Sequence, residues 1–375
     1  MLLAAIKLPV YIAILALLLL ILGFAVWYLA RRTAFIFNTR ARWWYAVYGI
    51  ALLSGFYFMM AASQAWTVRP LVHFCSLAGG VMVGFLFFLT IFMLAVDMVH
   101  CFVRMPRWLF GGLVALLSVG MTVFSMHKAF SPQVVEVRIR LPKLQQPLRA
   151  VQLTDLHIGH YRGEIHMQQI VNQVNSLHPD IVFFTGDCFE SWYNLDGQAI
   201  APLEQLQAPV FFVAGNHEGY VDSDRAKQLL RKAGVRVLEN EVVESKGLCI
   251  VGLDYMSADA QHVGMHAPKR PETIENTLPK LPIDTSLPVI VLHHSPIGAD
   301  YMEKAGASLL LSGHTHGGQI FPLTLLNNLL FQFNRGLNTQ NRLQVYTSCG
   351  TGTFGPPMRF GTVSEITLID FIPYK

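Results

Sequence analysis

Charge is scarce in this chain. Asp, Glu, Lys and Arg together make up 14% of its 375 residues, against 53% hydrophobic residues, a balance too apolar for an ordinary soluble protein. The formal net charge of +4 leaves no basic footprint of the kind that nucleic acid needs. Cysteine is scarce too. Cys75 and Cys101 lie in the apolar half as candidate small core residues, while Cys188, Cys249 and Cys349 show no CxxC spacing. That excludes a disulfide framework and a zinc knuckle. There is no internal repeat and no low-complexity segment. The length suffices for two domains, and the apolar excess sits almost wholly before residue 127. Histidine is distributed the opposite way: only His73, His100 and His127 precede residue 128, out of 14.

Residues 8–29 form an uninterrupted apolar run closed by Arg31 and Arg32, and further runs cover 43–62, 71–96 and 108–126. About 20 such residues cross a bilayer core, so about four transmembrane helices are expected. Trp43, Trp44 and Trp108 open their runs at interface depth. Arg31, Arg32, Arg40 and Arg42 in the first connection, with Arg104 and Arg107 in the third, place those loops in the cytoplasm. A multi-pass protein of the cytoplasmic membrane follows, with its C-terminal domain on the extracytoplasmic side; Lys128, Arg138 and Arg140 argue weakly for the reverse. Asp97, His100 and His73 fall at helix ends. No charge interrupts the middle of a span, so an anchor is expected rather than a transporter.

Domain boundaries are expected at 1–127 for the helical anchor, 128–147 for a linker and leading strand, and 148–375 for a globular domain. In the last, short apolar strands at 150–154, 180–185, 209–214, 248–253, 288–292, 308–311, 345–348 and 365–370 alternate early on with helices at 164–177 and 222–233. Asp222 is a candidate N-cap of the latter, and Gly234 follows its end. Such alternation predicts a layered α/β sheet domain, with sites at the C-terminal strand ends.

Those ends carry Asp155-Leu156-His157, Gly186-Asp187, Gly215-Asn216-His217-Glu218, His293-His294-Ser295-Pro296 and Gly313-His314-Thr315-His316. Each offers carboxylate, amide oxygen or imidazole and none a thiolate, a donor set for divalent Mn, Fe or Zn. Singly, an Asp after a strand is a turn cap and a strand histidine a packing residue. In order along successive strand ends they make two ions, with a bridging carboxylate, the better explanation. Glycines before Asp187, Asn216 and His314 predict close approach of backbone to a ligand.

With D-x-H, G-D, G-N-H-[DE], H and G-H-x-H complete and in order, residues 148–373 resemble the calcineurin-like metallophosphoesterases. Gly313 to Gln319 and the closing segment around Gly355 to Phe360 resemble the bacterial branch of membrane-associated phosphodiesterases. The resemblance implies an α/β/β/α sandwich and two divalent ions, Mn foremost, with Zn, Fe or Mg as alternatives. Asp155, His157 and His316 would hold one ion, Asn216, His294 and His314 the other, with Asp187 bridging. His294 is preferred to His293 by its H-x-P context. A hydroxide shared by the ions would attack phosphorus while His217 protonates the leaving group or stabilises charge. Glu190 stands where relatives carry an orienting Asp, and its role is open between that and a solvated loop carboxylate. Arg359 is a candidate phosphate contact, or else a surface or core-capping arginine.

The substrate expected is a phosphodiester or pyrophosphate, lipid-linked if the partner is the bilayer itself. The leucine-rich segment 321–337 is either an element dipping into the bilayer or a core helix. Trp192 and Tyr193 are candidates for a cleft wall. A nucleotide or cyclic-nucleotide phosphodiesterase is the alternative, and a catalytically silent membrane scaffold is another.

Overall fold

The computed structural model describes residues 2–60, 69–159, 161–190, 195, 197–261, 268 and 271–374. The chain falls into two compact units, one helical and one built on sheets.

Four long helices come first, α1 (Leu2–Phe37), α2 (Ala41–Met60), α3 (Arg69–Phe102) and α4 (Arg107–Phe130); they make up the helical unit apart from the start of α3, up to Ser76, and the end of α4, from Ser125, which group with the sheets. Among the described residues these four are long and apolar enough to cross a membrane. α1 does not stop where its apolar run stops. Arg31 and Arg32 are good helix formers, and the helix ends only where Asn38 turns left-handed (φ 52°) and the Thr39 N–H bonds back to the Ala34 carbonyl. Asp97 and Arg107, near helix ends, each find a polar partner. Asp97 meets Arg32 and accepts a hydrogen bond from the Tyr28 hydroxyl at 2.8 Å, while Arg107 donates to Asn38 Oδ1 at 2.9 Å. The end of α1, the end of α3 and the start of α4 therefore share one end of the bundle.

The other unit holds two six-stranded sheets. The first, in spatial order, is β1 (Gln133–Leu141), β12 (Glu365–Pro373), β2 (Leu148–Leu153), β3 (Ile181–Phe184), β4 (Val210–Phe212) and β5 (Arg236–Val237). The second is β10 (Gly336–Gln340), β11 (Leu343–Thr347), β9 (Leu309–Ser312), β8 (Val289–Leu292), β7 (Leu248–Gly252) and β6 (Glu241–Ser245). Strand side chains alternate between faces, and the layers follow. Ile181, Phe183, Ile290, Leu292, Leu309 and Leu311 meet in a core between the sheets. Their neighbours Val182 and Phe184 pack outward against α5 (Glu164–Ser176), through Met167, Ile170 and Val174. Val289, Val291 and Leu310 pack outward on the far side. The result is an α/β/β/α sandwich. α6 (Asn216–Tyr220) follows β4, and α7 (Ser223–Lys232) is capped by Asp222, whose side chain accepts from the Arg225 N–H at 3.1 Å. α8 (Leu323–Leu330) is the last helix.

Candidate active site

Strands β2, β3 and β4 run parallel in one sheet, and β8 and β9 run parallel in the other. Their C-terminal ends deliver Asp155, His157, Asp187, Asn216, His217, His294, His314 and His316. The backbone turns sharply there. Asp155, His157, Asp187, His314 and His316 all adopt positive φ between 47° and 73°, a left-handed conformation that is uncommon for non-glycine residues and clusters at functional sites. The turns interlock: the Asp155 N–H bonds to the Gly186 carbonyl, and the His157 N–H to the Asp187 carbonyl.

Three groups of side chains converge, each with ligand atoms within 4.8 Å of one another: Asp155, His157 and His316; His157, Asp187 and His217; and Asp187, His294 and His314. Asp187 joins the last two. His157 Nε2 faces His316 Nε2 at 3.1 Å, and His316 Nε2 lies 3.4 Å from Asp155 Oδ1. His294 Nε2 lies 3.1 Å from both Asp187 Oδ2 and His314 Nδ1. The opposite ring nitrogens are committed outward. His294 Nδ1 donates to the Thr185 carbonyl at 2.7 Å, and His157 Nδ1 meets the Glu190 carboxylate. This arrangement aims the Nε2 atoms inward, at carboxylate oxygens and at one another.

Burial works against charge here, and the charged neighbours win at several positions. Burial depresses His294, but Asp187 and Asp155 outweigh it and hold the imidazole up to about 9. His217 is likewise lifted against burial, by Asp187 and Glu190, to about 10. Burial would raise Glu190, yet His157 and His217 hold it down to about 2. His316 goes the other way, lowered by burial and then by His157.

These groups fit divalent ions. Nitrogen atoms facing at 3.1 Å need a shared cation, a proton or a metal ion, between their lone pairs. Asn216 Oδ1 is buried with no hydrogen-bond partner, an acceptor left unmatched at a cost of about 1–3 kcal/mol unless a ligand takes it.

Several residues stand outside what their motifs indicate. His293 is fully buried, and its Nδ1 lies 2.7 Å from the Ser295 carbonyl, away from the cluster. Glu190 is not a solvated loop carboxylate: it lies between His157 and His217, 3.1 Å from His217 Nδ1. Arg359 is no phosphate contact. It is wholly buried and donates to the carbonyls of Gly350, Gly352 and His316. Gly215 and Gly313 make room for the protein itself, since a Cβ there would overlap the carboxylates of Asp187 and Asp155. Trp192 and Tyr193 lie outside the described residues.

Glu218 has no assigned role in the sequence reading, although it closes the G-N-H-E motif. Its buried carboxylate accepts from the N–H groups of Gly215, Asp187, Cys188 and Phe189 at 2.7–3.2 Å. It thereby clamps the β3 and β4 turns together. The acid at that position was the available signal.

Comparison with known proteins agrees with this geometry. The profile described as calcineurin-like phosphoesterase matches residues 148–318. A "Transmembrane protein with metallophosphoesterase domain" of Bos taurus is 35% identical over 64% of this chain and 57% of its own length. The Danio rerio protein of the same name is 33% identical over 68% and 61%. The chain thus spans about three fifths of the length of these curated relatives. An uncharacterized metallophosphoesterase of Campylobacter jejuni is 32% identical over 70% of both chains. The chain therefore belongs to the calcineurin-like metallophosphoesterases, a family of phosphoester hydrolases that use divalent metal ions.

Proposed function

We propose that the protein is a membrane-anchored two-metal phosphoesterase that hydrolyses phosphodiester or pyrophosphate bonds, with a lipid-linked substrate as the preferred reading. The observation that carries it is the convergence of Asp155, His157, Asp187, His294, His314 and His316 through atoms 3.1–3.9 Å apart. Asp155, His157 and His316 would hold one ion, and Asn216, His294 and His314 the other, with Asp187 between them. Manganese is the first candidate metal for this oxygen and nitrogen donor set. Such ions, when bound, polarise the phosphoryl oxygens and lower the pKa of water. The chain's own groups do the rest. Glu190 orients His157 and His217 through their Nδ1 atoms. That leaves His217 Nε2, 4.0 Å from Asp187 Oδ2, to face the reacting phosphate and protonate the departing oxygen. Glu218 holds Asp187 and Gly215 in register.

The anchor would be residues 1–127 and the catalytic domain 148–375, with β1 of the intervening segment pairing onto β12 of that domain's first sheet. The basic residues of the first and third loops favour an extracytoplasmic catalytic domain. A soluble nucleotide diester is the second reading, favoured by a cleft of about 460 Å³ lined in part by Asn216, Tyr220 and Tyr255, a size that suits a small ligand.

The test is Mn²⁺-dependent hydrolysis of bis(p-nitrophenyl) phosphate by the full chain in detergent. Asp187→Asn is expected to fall to background, and His217→Ala by about 100-fold or more. Equal rates for the wild type and both variants would overturn the assignment.

A further inference from the structure

The segment after His316 leaves its apolar side uncovered. Of α8, only Thr324 is buried. Leu325, Leu326 and Leu330 are more than half exposed, and Leu329 is 84% exposed. Phe321, just before the helix, is exposed as well. A contiguous apolar surface of this kind on a soluble-facing domain marks an interaction site.

The other side of α8 is bound to the candidate site. Asn327 Nδ2 donates to the Thr315 carbonyl at 3.0 Å, between His314 and His316, and to Asn334 Oδ1. At the helix end the Phe331 ring stands edge-on to His314, 5.9 Å between centroids. The exposed leucines are therefore the outer surface of a wall of the site.

What covers that surface follows from a second set of contacts. The last turn of α4, from Ser125 to Phe130, belongs to the sheet-containing unit. The Arg359 N–H donates to the Ser125 carbonyl at 2.9 Å, and the Ser364 hydroxyl donates to the Ala129 carbonyl at 2.9 Å. The next residue, Phe360, accepts at its carbonyl from the Phe321 N–H at 2.7 Å. Two backbone hydrogen bonds and the one peptide step from Arg359 to Phe360 thus separate the lead-in of α8 from Ser125, at most about 14 Å. The 24 residues of α4 span about 36 Å at 1.5 Å per residue. A hydrocarbon core of ~30 Å entered near Trp108 is left near Met126 to Lys128. Ser125 accordingly marks the boundary between acyl chains and headgroups, and α8 lies within reach of it.

We infer that the leucine face of α8 docks into the surface of the bilayer that α4 crosses, and that the site thereby meets phosphoesters of lipids in that leaflet. Amphipathic helices that lie in the interface bury their apolar face about 5–10 Å deep, and α8 carries no charged residue to oppose this. The substrate half of the inference rests on the phosphoesterase reading; the docking half does not.

The full chain, with Cys75 and Cys101 replaced by serine, is labelled with an NBD fluorophore at Leu329→Cys and, separately, at exposed Asn172→Cys on α5. Both are reconstituted in phosphatidylethanolamine–phosphatidylglycerol vesicles containing doxyl lipid. Blue-shifted emission quenched by the doxyl group at position 329, and neither at 172, is the expected result. A label at 329 that is unquenched, whether in water or covered by a second copy of the chain, would overturn the docking. The same vesicles are assayed with hexadecyl p-nitrophenyl phosphate and with bis(p-nitrophenyl) phosphate. The Leu325→Ser/Leu329→Ser pair is expected to lower the ratio of lipid to soluble hydrolysis roughly tenfold, and an unchanged ratio would sink the substrate half. A quenched label with no hydrolysis of either diester would keep the docking and remove the phosphoesterase reading.

Discussion

Arg359 spends its guanidinium on backbone carbonyls. It reaches Gly350 and Gly352 in the loop that closes over Asp155, and His316 on the opposite turn. A buried carbonyl left without its donor costs about 1–3 kcal/mol, so Arg359→Ala is expected to lower the unfolding free energy by about 3 kcal/mol. Urea unfolding of the full chain in detergent measures this; a change within experimental error would show the carbonyls to be satisfied otherwise. His166 makes a different kind of prediction. Burial and the neighbouring Arg162 charge hold it down to about 3, and its Nε2 is buried without a partner. The folded protein keeps this imidazole neutral, whereas the unfolded chain takes up a proton below about 6.5. Its contribution is therefore complete above the unfolded value and lost as pH falls from 6.5 towards 3. By pH 5 the loss amounts to about 2 kcal/mol. His166→Gln is expected to flatten the fall in unfolding midpoint between pH 7 and pH 5, and an equal slope for both proteins would refute the assignment.

Among the elements, most strands and the helices α5 and α7 stand close to where their periodicity and caps place them, because those signals are local; β5, β6 and β10, at the far ends of their sheets, were not foreseen. α1, α3 and α4 run longer than their apolar runs, since Lys and Arg end hydrophobicity without ending a helix. α8 is the element whose pattern was ambiguous. A leucine-rich stretch states that a face avoids water, and nothing in it tells core from bilayer. Its leucines cover no core, so Leu329→Ser is expected to change the unfolding free energy in detergent by less than about 0.5 kcal/mol. A loss of several times that would mean the face is packed after all.

For the whole molecule, sidedness and metal content each carry a prediction. A reporter active only outside the cytoplasm, fused after Lys375 on the Asp187→Asn background, is expected to be active. A silent fusion at normal expression would put the domain in the cytoplasm. If the proposed ligands bind ions in the folded state alone, chelation should lower Tm, because metal at a hundredfold its Kd contributes about 2.7 kcal/mol. Excess Mn²⁺ should restore it, and a Tm indifferent to chelator would argue against the metal assignment.

The candidate ligands were legible because each sits at a strand end that hydrophobic patterning marks, and because carboxylate, amide and imidazole name the chemistry by themselves. The apolar runs were legible for the same reason: length and composition decide whether a helix can cross a bilayer. What required the tertiary structure is everything set by contacts between distant segments. Glu218 clamps residues 187 to 189 from 30 positions away, Arg359 is buried by loops that only the fold brings to it, and His293 parts from His294 by the direction of a turn. The uncovered face of α8 is of this kind as well. Sequence determines that a surface is apolar, and only the packing of every other element decides whether anything is left to cover it.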